Sequence, residues 1–253
     1  MLLFVLLLEG FYLFLNKKLD WSLLIFAYNE EGSIGKVIEK AIQFSQKNLH
    51  GKTEIIVLDD GSEDTTKEII LSYVARYPQI KAHFHEQNKG IGMALKTVYS
   101  FAQNEYVCAI PADNQFDIDL LYNVEPFGDN QFHSFYRKQP YTNPFRNFLN
   151  QFNRVFNRIL FGIQLKDVNW VKVYKLQQLN SISTELNSSL IESEICVKIM
   201  LKGIRAIESF SPYLPRESGV SKGGSFRTVK KAISEIYILY SVVKKSKRAQ
   251  KNA

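Results

Sequence analysis

The 253-residue chain reads as an α/β protein, a mainly parallel sheet flanked by helices, with apolar or amphipathic helices at its two ends. Three observations carry this reading. Short apolar runs alternate with segments of helical periodicity from Trp21 onward. The alternation recurs at the pitch of βαβ units. Polar clusters stand immediately after three of the apolar runs, where the strands of such a sheet would end.

Ser22 to Ala27 is apolar enough for a buried strand, and Ile34, Val37, Ile38, Ala41 and Ile42 then recur at helical spacing. Glu54 to Leu58 repeats the strand signal, followed by a helix with Ile69, Ile70, Tyr73 and Val74. A short strand near Ile80 to Phe84 leads to a third helix, with Ile91, Ala94, Leu95, Val98 and Ala102 on one face. Tyr106 to Ile110 is the next strand. The second half is less regular. Its Tyr141–Phe161 stretch is rich in Phe, Asn and Arg, and a helix is expected around Ser193 to Lys202. A last helix over Phe226 to Val243 would be apolar at Phe226, Val229, Ile233, Ile236, Tyr237 and Tyr240.

The net charge of +7 is unevenly placed. From Lys222 onward there are nine basic residues and one acid, Glu235, so the tail carries +8 and the remaining 221 residues about −1. A nucleic-acid enzyme would spread its basic groups over the face that follows the phosphates, so no nucleic-acid partner is expected. One basic tail on a neutral body fits an anionic membrane surface better. Met1 to Leu15 is apolar apart from Glu9 and Gly10. As a helix it would span about 22 Å, short of the roughly 30 Å hydrocarbon core. It has no basic leader and no small-residue cleavage site, so it is expected to be an interfacial anchor or a partly inserted helix rather than a secretory signal. A helix packed on the domain is the plain alternative. The chain therefore divides into residues 1–20, a possible membrane anchor, an α/β domain over 21–222, and a basic amphipathic helix and tail over 223–253.

Cys108 and Cys196 lie far apart in apolar stretches and are read as reduced core residues of a cytosolic protein. The four histidines form no site, since His83 and His85 would point to opposite sides of a strand.

Ligands of an open parallel sheet bind beyond the carboxyl ends of its strands. Tyr28-Asn29-Glu30-Glu31, Asp59-Asp60-Gly61-Ser62 and Asp113-Asn114-Gln115 all stand there. Any one of them reads equally well as a turn, but three at matched strand ends do not. Asp113 with Gln115 suits Mg²⁺ or Mn²⁺ held by few protein oxygens plus substrate phosphates. Asn88-Lys89-Gly90 opens the third helix, where Lys89 and backbone N–H groups could meet phosphate. There is no Walker loop, and no Gly-x-Gly-x-x-Gly follows the first strand.

These segments resemble glycosyltransferase family 2, of GT-A fold, and within it the polyprenyl-phosphate sugar synthases. The matching pieces are IFAYNEEGSIGKVI, EIIVLDDGSEDTT, NKGIGMAL, IPADNQFD, KDVNWVKVYK, ESEICVKIMLKGIRAIE and YLPRESGVSKGG, in order from about Trp21 to Lys222. The resemblance implies nucleotide contacts at Ala27, Tyr28, Glu30 and Ala112, with Asp60 as base or ribose partner and Asp113 and Gln115 as metal ligands. It implies phosphate-holding roles for Arg137, Arg146 and Arg216, and acceptor-side positions for Asp167, Glu194 and Lys222. The family's Asp-Ala-Asp-Gly-Gln is here Pro111-Ala112-Asp113-Asn114-Gln115, one carboxylate fewer.

The function implied is inverting transfer of a sugar from a UDP- or GDP-sugar to a lipid phosphate, by an enzyme peripheral or monotopic on the cytoplasmic face of a membrane. A lipid phosphate is anionic already and needs no general base. The alternative is a degenerate member that binds nucleotide or lipid without turnover. A sugar nucleotidyltransferase would carry a glycine-rich loop after its first strand, and a processive synthase several membrane spans.

Overall fold

The computed structural model describes residues 19–48, 51–137, 157–215, 234–241, 243–245 and 248. Met1–Leu15, Arg146, Arg216, Lys222 and most of the Tyr141–Phe161 stretch and of the basic tail lie outside the described residues.

Among the described residues seven strands make one sheet, in the order β3-β2-β1-β4-β6-β5-β7. In chain order, β1 (Trp21–Ala27), α1 (Ile34–Lys47), β2 (Thr53–Asp59), α2 (Thr66–Arg76), β3 (Ile80–Phe84), α3 (Ile91–Ser100) and β4 (Tyr106–Pro111) form the regular first half. A 3₁₀ turn (Ile118–Asn123), β5 (Gln131–Arg137), a π-helical turn (Asn157–Phe161), β6 (Lys172–Lys175), α4 (Leu176–Asn180), α5 (Ile191–Leu201) and β7 (Arg205–Ser211) follow. β1 pairs in parallel with both β2 and β4, β2 with β3, and β5 with β7. β6 is antiparallel to β4 and to β5. Six strands therefore point their carboxyl ends to one edge, and β6 begins there.

Strands buried on both faces need no polar alternation, which is why β1 reads as a continuous apolar run. Trp21, Leu23 and Ile25 join the core under α1 and α2, whereas Leu24 joins the core under α3 and α5. α1 buries Ile34, Val37, Ile38, Ala41 and Ile42, the stripe its spacing predicts. Truncating a core side chain such as Leu24, which has no exposed surface, costs about 2–5 kcal/mol.

The second half holds three strands that the periodicity does not announce. β6 reads Lys-Val-Tyr-Lys, yet all four residues are buried. Its lysines enter because they are paired. The Lys172 ammonium donates to the carbonyls of Val168 and Trp170 and lies 3.3 Å from Glu192, while Lys175 meets Glu105 at 2.9 Å and Asp129 at 2.8 Å.

The C-terminal helix needs a correction of phase. Residues 234–241 are helical, but Leu239 is buried, as is Val243 beyond them, and Tyr237 is 77% exposed and Tyr240 43% exposed. The aliphatic stripe turns inward because it carries no hydroxyl to desolvate, and the tyrosines face water. Both cysteines are free and buried, and burial pushes the Cys196 thiol up to about 11.

Candidate functional site

β1 has neighbours on both sides, and the chain leaves it first toward β2 and later returns to β4. That reversal opens a crevice between the carboxyl ends of β1 and β4, the place where ligands of such sheets bind. The register aligns the expected clusters around it. Ala27 pairs with Asp59, Phe26 with Pro111, and Asp59 with Phe84. Beyond the strands, the N–H of Asp60 donates to the Ala27 carbonyl at 2.8 Å, that of Ala112 to Phe26 at 3.1 Å, and that of His85 to Asp59 at 2.9 Å. Ala27, Tyr28, Asp60 and Ala112 thus stand side by side.

The first two loops are laced together. Asn29 takes a left-handed φ of 53°, tolerable for asparagine. Its backbone N–H donates to Ser62 Oγ at 2.8 Å, and its side-chain oxygen accepts from the Glu63 N–H at 2.8 Å. The N–H of Glu30 donates to Thr66 Oγ1 at 2.9 Å, and Glu31 accepts from the Thr65 N–H and hydroxyl at 3.1 and 2.7 Å. Glu30 accepts from the Ser33 hydroxyl at 3.2 Å. Asp59 is buried beneath, and burial pushes its carboxyl above the usual range against the pull of Ser62.

Asp60 is nearly inaccessible at 2% exposure, and its carboxylate gathers the third loop. Oδ1 accepts from the Lys89 N–H at 3.0 Å and lies 2.6 Å from His85 Nδ1, while Oδ2 accepts from the Gly90 N–H at 2.8 Å. The N–H groups of Lys89 and Gly90, expected to face phosphate, are committed to Asp60 instead. The Lys89 side chain is exposed.

The metal motif follows β4. Asp113 Oδ1 accepts from the Gln115 N–H at 3.2 Å, and Asn114 is left-handed at φ 57° with its side-chain oxygen held by Lys40 Nζ at 2.8 Å. The amide nitrogen of Gln115 donates to Tyr213 Oη at 2.6 Å and to the Leu214 carbonyl at 3.4 Å. The amide oxygen is thereby left as the Gln115 donor atom for a cation. A carboxylate and an amide oxygen are the hard donors Mg²⁺ or Mn²⁺ accepts, with phosphate oxygens and water completing the shell. Among the described residues no three His, Cys, Asp or Glu side chains cluster as a self-sufficient metal site. The Gln115–Leu214 contact also brings the chain that follows β7 against the metal motif, two residues before Arg216.

Arg137 ends β5, at the same edge. Its Nε donates to Asp167 Oδ2 at 2.8 Å, and its guanidinium lies over the Trp170 ring at 3.9 Å. Trp170 in turn meets Phe116, next to Gln115, with ring centroids 6.1 Å apart. Arg137 and Asp167, expected on the phosphate and acceptor sides respectively, form one pair. Glu194 is elsewhere engaged. It has no exposed surface, accepts from the N–H groups of Glu185 and Leu186, and pairs with Lys198 at 2.7 Å.

Residue patterns missed four partners: Lys40, His85, Trp170 and Tyr213. Of these His85 was legible, since it follows a strand end as Tyr28, Asp60 and Ala112 do. Alternation does separate it from His83, which stacks on Phe101 instead.

The model of the family described as glycosyl transferase family 2 matches residues 22–172. A dolichyl-phosphate beta-glucosyltransferase of Trichomonas vaginalis is 32% identical over 102 residues, covering 39% of this chain and 32% of that protein. The match thus spans about a third of that relative's length. Among solved structures, a mannosyltransferase of Pyrobaculum calidifontis in complex with GDP-Man and Mn²⁺ superposes with a TM-score of 0.57 at 19% identity, over 82% of this chain and 59% of that one. Glucosyl-3-phosphoglycerate synthase of Mycobacterium tuberculosis, with Mn²⁺ and UDP, gives 0.59 at 17% identity, over 90% and 78%. At such identities these likenesses bear on the fold, a GT-A Rossmann-like sheet with flanking helices.

Proposed function

The chain belongs to glycosyl transferase family 2, and from that premise we propose that it transfers a sugar from a UDP- or GDP-sugar to a lipid phosphate, with inversion, at the cytoplasmic face of a membrane. One observation carries the reading. Asp60, the Asp113–Gln115 motif and Arg137 converge on the carboxyl edge of one sheet, around the β1–β4 crevice.

In this reading the nucleoside lies against Ala27, Tyr28, Glu30 and Asp60. The diphosphate reaches Asp113, Gln115 and Ala112, with Lys89 near. Asp113 and Gln115 would hold Mg²⁺ or Mn²⁺, which would supply positive charge beside the departing diphosphate. Arg137 adds a planar two-point contact to a phosphate group, aimed by Asp167 and Trp170. Arg216, Arg146 and Lys222 are further candidates from the same family pattern. The acceptor phosphate oxygen attacks the anomeric carbon as the bond to the diphosphate breaks, so the product has the opposite anomeric configuration. No side chain need remove a proton, because the acceptor is already anionic.

Pro111 favours a second reading, binding without turnover, since it removes a carboxylate the family pattern carries. Incubation with UDP-glucose or GDP-mannose, Mn²⁺ and a polyprenyl phosphate separates the two. A lipid-linked sugar of inverted configuration, lost in Asp113→Ala, supports transfer. Nucleotide binding with no lipid product from either donor would leave the degenerate reading.

A further inference from the structure

We infer that His85 is a positioning residue of the donor site, fixing the Asp60 carboxylate so that it presents an acceptor position to the nucleoside. The inference rests on the glycosyltransferase reading, which makes Asp60 the partner of base or ribose, and goes beyond it by assigning the residue that sets Asp60.

An ionised carboxylate offers about four acceptor positions and no donor. Three of those on Asp60 are filled from within: His85 Nδ1 at 2.6 Å and the Lys89 N–H at 3.0 Å on Oδ1, and the Gly90 N–H at 2.8 Å on Oδ2. Oδ2 therefore has the vacancy. The groups a nucleoside brings there are donors: a base imide or amide N–H, or a ribose hydroxyl. Because the carboxylate can only accept, the proton between it and His85 sits on Nδ1. The other ring nitrogen, Nε2, lies 3.1 Å from Thr97 Oγ1 on α3, which fixes the plane of the imidazole.

Water cannot substitute for this arrangement. The side chains of His85 and Asp60 are 7% and 3% exposed. Gly61, at φ +72°, lets the turn after Asp60 pack on the backbone of Gln87 and Asn88, where a Cβ would collide. His85 is thus held between the strand end of β3, the turn after β2 and the first turns of α3. The backbone N–H groups alone would hold Asp60 from one side. The imidazole supplies the remaining bond and the correct rotation of the carboxylate. Lysine or arginine would bring a permanent charge to a buried spot, whereas an imidazole ring can donate from Nδ1 without a permanent one.

Isosteric amides test the assignment on the full-length protein. An asparagine amide nitrogen falls near the place of Nδ1 and a glutamine amide nitrogen near that of Nε2. Calorimetric titrations of UDP, GDP and inorganic pyrophosphate, each with Mn²⁺, would be compared for wild type, His85→Asn and His85→Gln. His85→Asn should keep the better nucleotide within about threefold, and His85→Gln should weaken it by about tenfold or more, the loss of one hydrogen bond to a charged group. Pyrophosphate, which has no nucleoside, should bind all three proteins alike. Equal nucleotide affinity in wild type and His85→Gln would overturn the role of His85 while leaving the glycosyltransferase reading intact. Parallel loss of nucleotide and pyrophosphate would also overturn it, reducing His85 to a loop staple. Binding of neither nucleotide by the wild type would overturn both readings. Should His85→Gln not fold, Thr97→Val carries the test: nucleotide weakened about threefold with pyrophosphate unchanged supports the assignment, and unchanged nucleotide affinity contradicts it.

Discussion

Arg137 reaches the site with one nitrogen already bonded, its Nε to Asp167, and one face laid on Trp170. What remains to face a ligand is the pair of terminal nitrogens, the fork that matches two phosphate oxygens. Lysine keeps the charge and loses the fork, so Arg137→Lys should lower turnover roughly 10- to 100-fold at unchanged melting temperature. Near-normal kcat would return Arg137 to a surface ion pair. Asp167→Asn keeps a partner of similar shape but removes the charge, and should give a smaller loss in the same assay. The residues of the first half were readable because strand ends carry their own marks: a polar cluster after an apolar run. Trp170 and Tyr213 carry no such mark, since their roles come from contacts across the sheet with residues far away in sequence.

At the scale of elements, β1 to β4 and α1 to α3 announce themselves by unbroken apolar runs and by 3.6-residue stripes. β5, β6 and β7 do not, because polar residues interrupt their apolar runs. His133 on β5 is such a residue. It is buried, its Nε2 finds no partner among the described residues, and burial pushes its pKa down to about 4 from 6.5. Between those values the unfolded chain takes up a proton that the folded chain refuses. His133 should therefore cost stability as the pH falls from about 6.5 toward 4, with nothing lost above that window. Melting curves from pH 7.5 to 4.5 should fall less steeply in His133→Leu than in wild type; parallel slopes would show that His133 is not responsible. Gly92 sits where α3 touches the 187–188 turn, and a Cβ there would strike the backbone of Asn187 and Ser188. Gly92→Ala should lower stability by about 1–3 kcal/mol, the usual cost of overpacking, read from denaturant midpoints. An unchanged midpoint would mean the two elements can part freely.

The molecule as a whole has a neutral body and a basic end. No helix among the described residues is long and apolar enough to cross a membrane. The C-terminal helix buries Leu239 and turns Tyr237, Ile238 and Tyr240 outward, with exposed Lys244, Lys245 and Arg248 following. Aromatic rings beside lysines suit a headgroup layer better than bulk water. Its Glu235 accepts from the N–H groups of Asn187 and Ser188, the turn packed on Gly92 at the start of α3. The helix is thereby tied to an element that opens beside Asp60. Binding to anionic vesicles should weaken with salt, by about 1 kcal/mol for each basic contact screened, and Tyr237→Ser with Tyr240→Ser should weaken it at every salt concentration. Equal binding to neutral and anionic vesicles would reject the basic end as the attachment. The stripe read from the sequence ran through those two tyrosines, and only packing reveals that leucine and valine took the inner face. A metal-assisted nucleotide site in the β1–β4 crevice is tested most directly by thermal shift with UDP and with GDP, with and without Mn²⁺, in wild type and Asp113→Ala. The expected result is stabilisation by one nucleotide only when Mn²⁺ is present, and its loss in Asp113→Ala; a full metal-dependent shift surviving in Asp113→Ala would contradict it.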